Sequence, residues 1–87
     1  MDLKEKAARE ALKYVEEGMV IGIGSGSTVA KFIELLPKSF KNSVFVAASY
    51  DSEIRLIRKG FKVSPIYAVD HIDIAVDGAD EVLSRRC

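Results

Sequence analysis

Short apolar runs alternate with amphipathic segments along this chain, and this alternation limits the possible folds more than any other feature. Apolar runs of this length are typical of strands buried on both faces, and we predict such strands at 19–23 and 43–48, with further strands at 61–65 and 72–76. A period of 3.6 residues predicts helices at about 2–17, 27–36 and 51–59. The alternation predicts an α/β fold, an open and mainly parallel sheet with flanking helices and right-handed crossovers, like half of a Rossmann fold.

The ends and inward faces of the helices can also be predicted. Gly18 and Gly60 follow the first and third helices as left-handed caps, and Pro37 ends the second. In the third helix, Ile54 and Ile57 are predicted to face inward.

Length and charge exclude several classes of protein. With 87 residues, the chain is predicted to form a single domain, 1–87. Thirteen basic residues balance thirteen acidic ones, which argues against nucleic acid or an anionic membrane as partner. The single cysteine allows no internal disulfide, and neither a transmembrane run nor a signal peptide is evident. We therefore expect a cytoplasmic protein.

A glycine–serine loop, Gly22–Thr28, follows the first predicted strand. Its three glycines allow a sharp turn and close approach of a ligand, and the next helix directs free N–H groups at the turn. A phosphate monoester suits such an uncharged cradle. A P-loop would need lysine at Ser27 and a dinucleotide loop would need glycine there, so ATP and NAD are disfavoured. The alternative is a plain strand-to-helix turn with serine caps.

Three carboxylates follow the last predicted strand, at Asp77, Asp80 and Glu81. Such a cluster could bind sugar hydroxyls, orient a catalytic water or lysine, or hold Mg²⁺. A solvated acidic turn, with an aspartate serving only as a cap, is the alternative. Because both loops follow strands of a parallel sheet, we expect them at the same sheet edge, where ligands of α/β proteins bind.

Other polar residues have simpler interpretations. We expect His71 to be a surface residue, and Ser49 or Asp51 to cap a helix, although Ser49 and Tyr50 could also contact a ligand. The pair at 85–86 is interpreted as a charged tail, and Cys87 has no assigned role.

The two loops together resemble the amino-terminal part of ribose-5-phosphate isomerase, type A. The matching segments are G-S-G-S-T, which begins at Gly24, and V-D-G-A-D-E, which begins at Val76. The resemblance implies an enzyme without metal or other cofactor that interconverts ribose 5-phosphate and ribulose 5-phosphate. It implies substrate binding by residues of both loops, namely Gly24, Ser25, Gly26, Ser27, Thr28, Asp77, Gly78, Ala79 and Asp80.

The resemblance also implies supporting catalytic roles for Asp77 and Asp80 in ring opening and proton transfer. The family usually has threonine where Ser25 stands, a change that keeps the hydroxyl. Its later Lys-Gly-rich loop and glutamate base are not found in this sequence. We therefore expect binding of a small phosphorylated sugar with little turnover, and self-association into a homo-oligomer, a dimer or a tetramer. A non-catalytic sugar-phosphate-binding module and a purely structural fragment are the alternatives.

Overall fold

The computed structural model describes residues 2–77 and 83–85. Within them, helices lie at Leu3–Leu12 (α1), Ser27–Leu35 (α2) and Tyr50–Arg58 (α3). Strands lie at Val20–Ile23 (β1), Val44–Ala47 (β2), Lys62–Val63 (β3), Ile74–Val76 (β4) and Leu83–Arg85 (β5). Short 3-10 turns occupy Lys38–Asn42 and Ile66–Ala68. None of these helices has the length and apolarity needed to cross a bilayer.

The strands form one five-stranded sheet in the order β3-β2-β1-β4-β5. Strands β1 to β4 run parallel, and β5 pairs antiparallel with β4. The predicted α/β fold with a mainly parallel sheet is confirmed. The interpretation of Arg85 as part of a charged tail is wrong, because its backbone belongs to β5, and Arg86 and Cys87 lie outside the described residues.

The order of the strands reverses at β1. From β1 the chain adds β2 and then β3 on one side, and it returns to place β4 on the other side. In sheets of this kind, ligands bind at the carboxyl ends of the strands where the order reverses. The fold therefore makes the edge beyond β1 and β4 the first place to look for a site.

The core lies between the three helices and one face of the sheet, which we call the helix face. Its strand residues include Ile21, Ile23, Phe45, Ile74 and Val76, all at most 6 % exposed. Helix residues that pack in the same cluster are Ala8, Ala11, Val29, Phe32, Ile33 and Leu56. Side chains alternate along a strand, so the second face of the sheet carries Val20, Gly22, Val44, Val46 and Ala75.

Helix α1 ends earlier than predicted, at Leu12 instead of residue 17. The amides of Lys13 and Tyr14 already bond to carbonyls three residues back, and the chain then leaves helical geometry. Gly18 has the predicted positive φ, +88°, but it lies in the turn before β1 and caps no helix. Its N–H donates to the hydroxyl of Ser43, which joins this turn to the start of β2.

Helix α3 ends as predicted but buries a different face. The amides of Gly60 and Phe61 bond to the carbonyls of Ile57 and Leu56, which is the Schellman pattern expected of a glycine cap. The prediction that Ile57 faces inward is wrong, since its side chain is 52 % exposed. The buried stripe runs through Ser52 and Leu56, and Ile57 is rotated from Leu56 by about 100°.

Two contacts fix the elements that border the sheet reversal. Lys59 of the α3 cap donates from Nζ to the carbonyls of Ile33 and Glu34 in α2, at 3.0 and 2.6 Å, and so holds α2 beside α3. At the amino ends of β1 and β4, Asp73 donates its N–H to the Val20 carbonyl and accepts the Val20 N–H on its carboxylate, both at 2.8 Å.

Candidate functional site

The two predicted loops emerge at the same edge of the sheet. Strand β1 ends at Ile23 and β4 ends at Val76, and the N–H of Gly24 donates to the Val76 carbonyl at 2.8 Å. Asp77 follows directly, so the first residue of the aspartate loop lies against the glycine–serine loop. The expected juxtaposition is confirmed for the part of the aspartate loop that the structure describes.

Gly24 is held on both sides. Its N–H bonds to β4, and its carbonyl accepts a 2.7 Å hydrogen bond from the hydroxyl of Ser52 in α3. A Cβ at this position would lie 3.2 Å from the Val76 carbonyl oxygen and 3.3 Å from the Asp77 Cα. Because both of these are backbone atoms, which move less easily than a side chain, close packing favours glycine at position 24.

Helix α2 begins at the end of this loop without a side-chain cap. Gly26 is its N-cap residue, with a φ of +110° that favours glycine, and its carbonyl accepts the first helical hydrogen bond from Ala30. The first amides of an α-helix have no carbonyl partner one turn back. The alternative of a serine-capped turn is therefore wrong for this helix, and its N-terminal N–H groups can serve a bound anion.

The residues around this helix start are open to solvent. Ser25, Gly26 and Ser27 are exposed and Thr28 is half-buried. The nearest lysine along the helix is Lys31, whose ammonium bonds to Glu34 at 2.8 Å, and this hydrogen bond raises the pKa of Lys31. The described donors of the loop itself are thus neutral: backbone amides, hydroxyls and the helix dipole.

A depression of about 340 Å³ lies at this edge of the sheet. Its polar end is formed by Gly24, Ser25 and Asp77. Its apolar part extends over the second face of the sheet, where it is lined by Gly22, Val46, Ile66, Ile72 and Ala75 among others. One polar end on an otherwise apolar hollow is the usual form of a site for a small molecule.

The predicted site residues divide into three groups. Gly24, Ser25 and Asp77 line the depression, while Gly26, Ser27 and Thr28 form the adjoining start of α2. The remaining predicted residues, Gly78, Ala79 and Asp80, lie outside the described residues. The predicted loop boundary shifts slightly, because Gly22 and Ile23 belong to β1 and the turn begins at Gly24.

Comparison with known proteins shows one family. The family profile for ribose 5-phosphate isomerase A (phosphoriboisomerase A) matches residues 44–86. Ribose-5-phosphate isomerase A of Pyrococcus abyssi is 49 % identical over 86 residues, which covers 93 % of this chain and 38 % of the relative.

Solved structures agree. A D-ribose-5-phosphate isomerase in complex with phospho-erythronic acid superposes with a TM-score of 0.81 at 46 % identity, covering 90 % of this chain and 36 % of that one. The enzyme from Neisseria gonorrhoeae gives a TM-score of 0.81 at 42 % identity, covering 92 % and 36 %. The chain is a homologue of part of ribose-5-phosphate isomerase A. It spans less than two-fifths of the length of these relatives.

Several polar residues of this isomerase homologue lie away from the depression or have structural roles. His71 is half-exposed and pairs with Asp73 at 3.0 Å, before β4 and hence at the opposite edge of the sheet. Ser49 caps α3, as one of its two interpretations predicted, and Tyr50 is 77 % exposed. Among the described residues no group of three or more His, Cys, Asp and Glu side chains could hold a metal ion.

One residue that contacts the site was missed from the sequence. Ser52 is 2 % exposed and reaches across from α3 to the Gly24 carbonyl. The available signal was its spacing, since Ser52 lies three residues after the cap Ser49 and four before the buried Leu56. The prediction that Ile57 faces inward rotated the expected buried face of α3 by one residue, and Ser52 was therefore not predicted to be buried.

Gly24→Ala tests whether packing at the β1–β4 edge builds the site. We expect the added Cβ to push the loop away from Val76, with loss of hydrogen-exchange protection at the residue 24 amide and shifted resonances at Asp77. The cost in stability should be about 1–3 kcal/mol, as for other overpacked positions.

Gly18→Ala is the matched control. Its Cβ meets nothing within 4 Å, so only the positive φ is strained, at a cost of about 1–2 kcal/mol. Both substitutions should lower the melting temperature, but only Gly24→Ala should alter Asp77. Unchanged Asp77 resonances in Gly24→Ala would contradict the packing argument.

Proposed function

We propose that this chain forms the phosphate-binding part of a ribose-5-phosphate isomerase site, with ribose 5-phosphate as its ligand. The observation that carries the proposal is the start of α2, where an uncapped helix N-terminus and exposed serines stand beside Asp77. The helix amides and the hydroxyls of Ser27 and Thr28 suit a phosphate. Asp77, on the β4 side of the same sheet edge, suits the hydroxyls of a sugar.

The relatives support a phosphorylated sugar as the ligand class. They are named for ribose 5-phosphate, and one was solved with phospho-erythronic acid, a phosphorylated sugar acid. A dianionic phosphate gains from the helix dipole, whereas an unphosphorylated sugar does not. We therefore propose that the phosphate anchors the ligand and that the sugar extends toward Asp77.

Isomerisation moves a proton between C1 and C2 of the sugar through an enediolate. Within this scheme Asp77 and Asp80 support ring opening and proton transfer, while Gly78 and Ala79 contact the substrate. In the family that the chain resembles, a glutamate is the base that removes the proton, and no residue of this sequence matches it. This division of roles follows the family resemblance, and no metal or other cofactor takes part in it.

Amide resonances give the direct test of ligand binding. In a titration of the ¹⁵N-labelled chain, the amides of Ser25–Thr28 should shift with ribose 5-phosphate and with inorganic phosphate but not with ribose. Asp77→Asn should weaken ribose 5-phosphate binding about tenfold or more, because hydrogen bonds to a charged group contribute about 1.5–3 kcal/mol. It should leave phosphate binding unchanged.

The exposed Asp70 provides the control for charge. Asp70→Asn changes the net charge equally and should leave both affinities as they are. If neither ligand perturbs Ser25–Thr28, the chain is a structural fragment and the proposed site fails.

Turnover distinguishes an enzyme from a binding module. We expect the purified 87-residue chain to convert ribose 5-phosphate far more slowly than ordinary enzymes, whose kcat is roughly 1–10³ s⁻¹. The Pyrococcus abyssi relative, assayed in parallel, provides the positive control. Turnover within the ordinary range would show that the 87 residues contain their own base.

We also propose that the chain self-associates through the second face of its sheet. Val20, Val44 and Ala75 on this face are only half-buried, and the nearby connection carries Ile66 and Tyr67, which are 66 % and 88 % exposed. Apolar surface of this kind is stabilised by a partner, and a second copy of the chain is the simplest one.

Sedimentation at micromolar concentration tests this association. A dimer is expected, and Tyr67→Lys should shift the equilibrium toward monomer by placing a charge at the interface. Tyr14→Lys, at a 55 % exposed tyrosine outside this connection, should not. A monodisperse monomer for the unaltered chain would refute the proposal.

A further inference from the structure

Ser52 is a buried polar residue that the proposed binding chemistry does not use. It lies in the first turn of α3, is 2 % exposed, and donates from Oγ to the Gly24 carbonyl at 2.7 Å. Helix capping does not explain this contact, because the cap is Ser49, whose hydroxyl accepts the Ser52 N–H at 3.1 Å.

Ser49 also determines which way the Ser52 hydroxyl points. Ser49 Oγ donates to Ser52 Oγ at 3.1 Å, so Ser52 accepts from one side and directs its own proton to Gly24. The two serines form a short chain of hydrogen bonds from the start of α3 to the glycine–serine loop. Buried hydroxyls that are fully hydrogen-bonded favour one arrangement of the groups they contact.

The contact sets the plane of the peptide that joins Gly24 to Ser25. In a trans peptide the carbonyl and the N–H point in opposite directions, and the described chain contains no cis peptide. The Gly24 carbonyl points toward α3, which packs on the helix face of the sheet. The N–H of Ser25, a residue that lines the depression, therefore points away from the Ser52 hydroxyl.

We propose that Ser52 is a positioning residue for this site: its hydroxyl holds the Gly24–Ser25 peptide so that the Ser25 N–H is presented to an oxygen of the bound phosphosugar. The proposal rests on the proposed function, because it names the residue that prepares the site for that ligand. Ser52 does not touch the ligand. Without its hydroxyl, the peptide can rotate, and ligand binding must then restore an orientation that folding already provides in the unaltered chain.

Ser52→Ala, with Ser43→Ala as its matched control, tests this role. Ser43 is also buried, at 0 % exposure, and its hydroxyl also bonds to a glycine backbone group, the Gly18 N–H at 3.0 Å. It lies next to the amino end of β2, away from the depression. Both variants should lose similar stability, as both remove one buried hydrogen bond.

Only Ser52→Ala should weaken binding of ribose 5-phosphate. The expected loss of affinity is about tenfold, which corresponds to the net contribution of one hydrogen bond. It should also shift the Ser25 amide resonance in the ligand-free protein. Ser52→Thr, which keeps the hydroxyl, should restore both readouts. Equal losses of affinity in Ser52→Ala and Ser43→Ala, or an affinity for Ser52→Ala within twofold of the unaltered chain, would overturn the positioning role.

The ligand-free spectrum separates this inference from the proposed function. If the unaltered chain binds no phosphosugar, the proposed function fails. A Ser25 resonance that Ser52→Ala leaves in place overturns the positioning role whether or not the ligand binds. If Ser52→Ala does not fold, Ser52→Thr and Ser52→Cys replace it, because they vary the strength of the hydrogen bond to the Gly24 carbonyl. The affinity for ribose 5-phosphate must then decrease in the order Ser, Thr, Cys.

Discussion

The arrangement of this site depends on the two backbone hydrogen bonds of Gly24. One joins the loop after β1 to the last residue of β4, and the other joins it to Ser52 of α3. Strands β1 and β4 are far apart in sequence and adjacent in the sheet, and Gly24 extends their pairing into the loop at the point where the strand order reverses. A loop fixed in this way loses its conformational entropy during folding and has less to lose when a ligand binds.

The proposed affinity of this site for a phosphate rests on geometry more than on net charge. The chain carries equal numbers of acidic and basic residues, and Lys31, the lysine nearest the loop along α2, is paired with Glu34. What remains is the amide end of α2, which begins at a glycine with no side chain to occupy the first free N–H groups. Such donors are effective only at short range, because a helix dipole acts within its first turn. This favours a ligand whose phosphate can enter the turn itself.

Sequence reasoning predicted the parts of this fold that depend on local periodicity. The buried residues of α2 and the strands up to β4 follow from apolar spacing, and the shared edge of the two loops follows from parallel strand geometry alone. Local patterns did not reveal β5, because it exists through pairing with β4, or the early end of α1. Ser52 was missed for a third reason. Its burial depends on how α3 is rotated about its own axis. The sequence allows either Leu56 or Ile57 to face the core, and the two choices imply different rotations.

Under the proposed function, the described part of the site serves binding more than catalysis. Of the three residues at the polar end of the depression, only Asp77 can ionise. Aldose–ketose exchange needs a base at the carbon and a donor at the oxygens, and one carboxylate cannot fill both positions in the same step. The apolar part of the depression, by contrast, is built from the second face of the sheet, which the described helices leave uncovered. A base on any segment that covers this face would approach the ligand from the side opposite α2. The phosphate of that ligand would already be bound at the start of α2. The described residues therefore suit the task of fixing one end of a phosphosugar, and the reacting carbons would lie where the second face meets its cover.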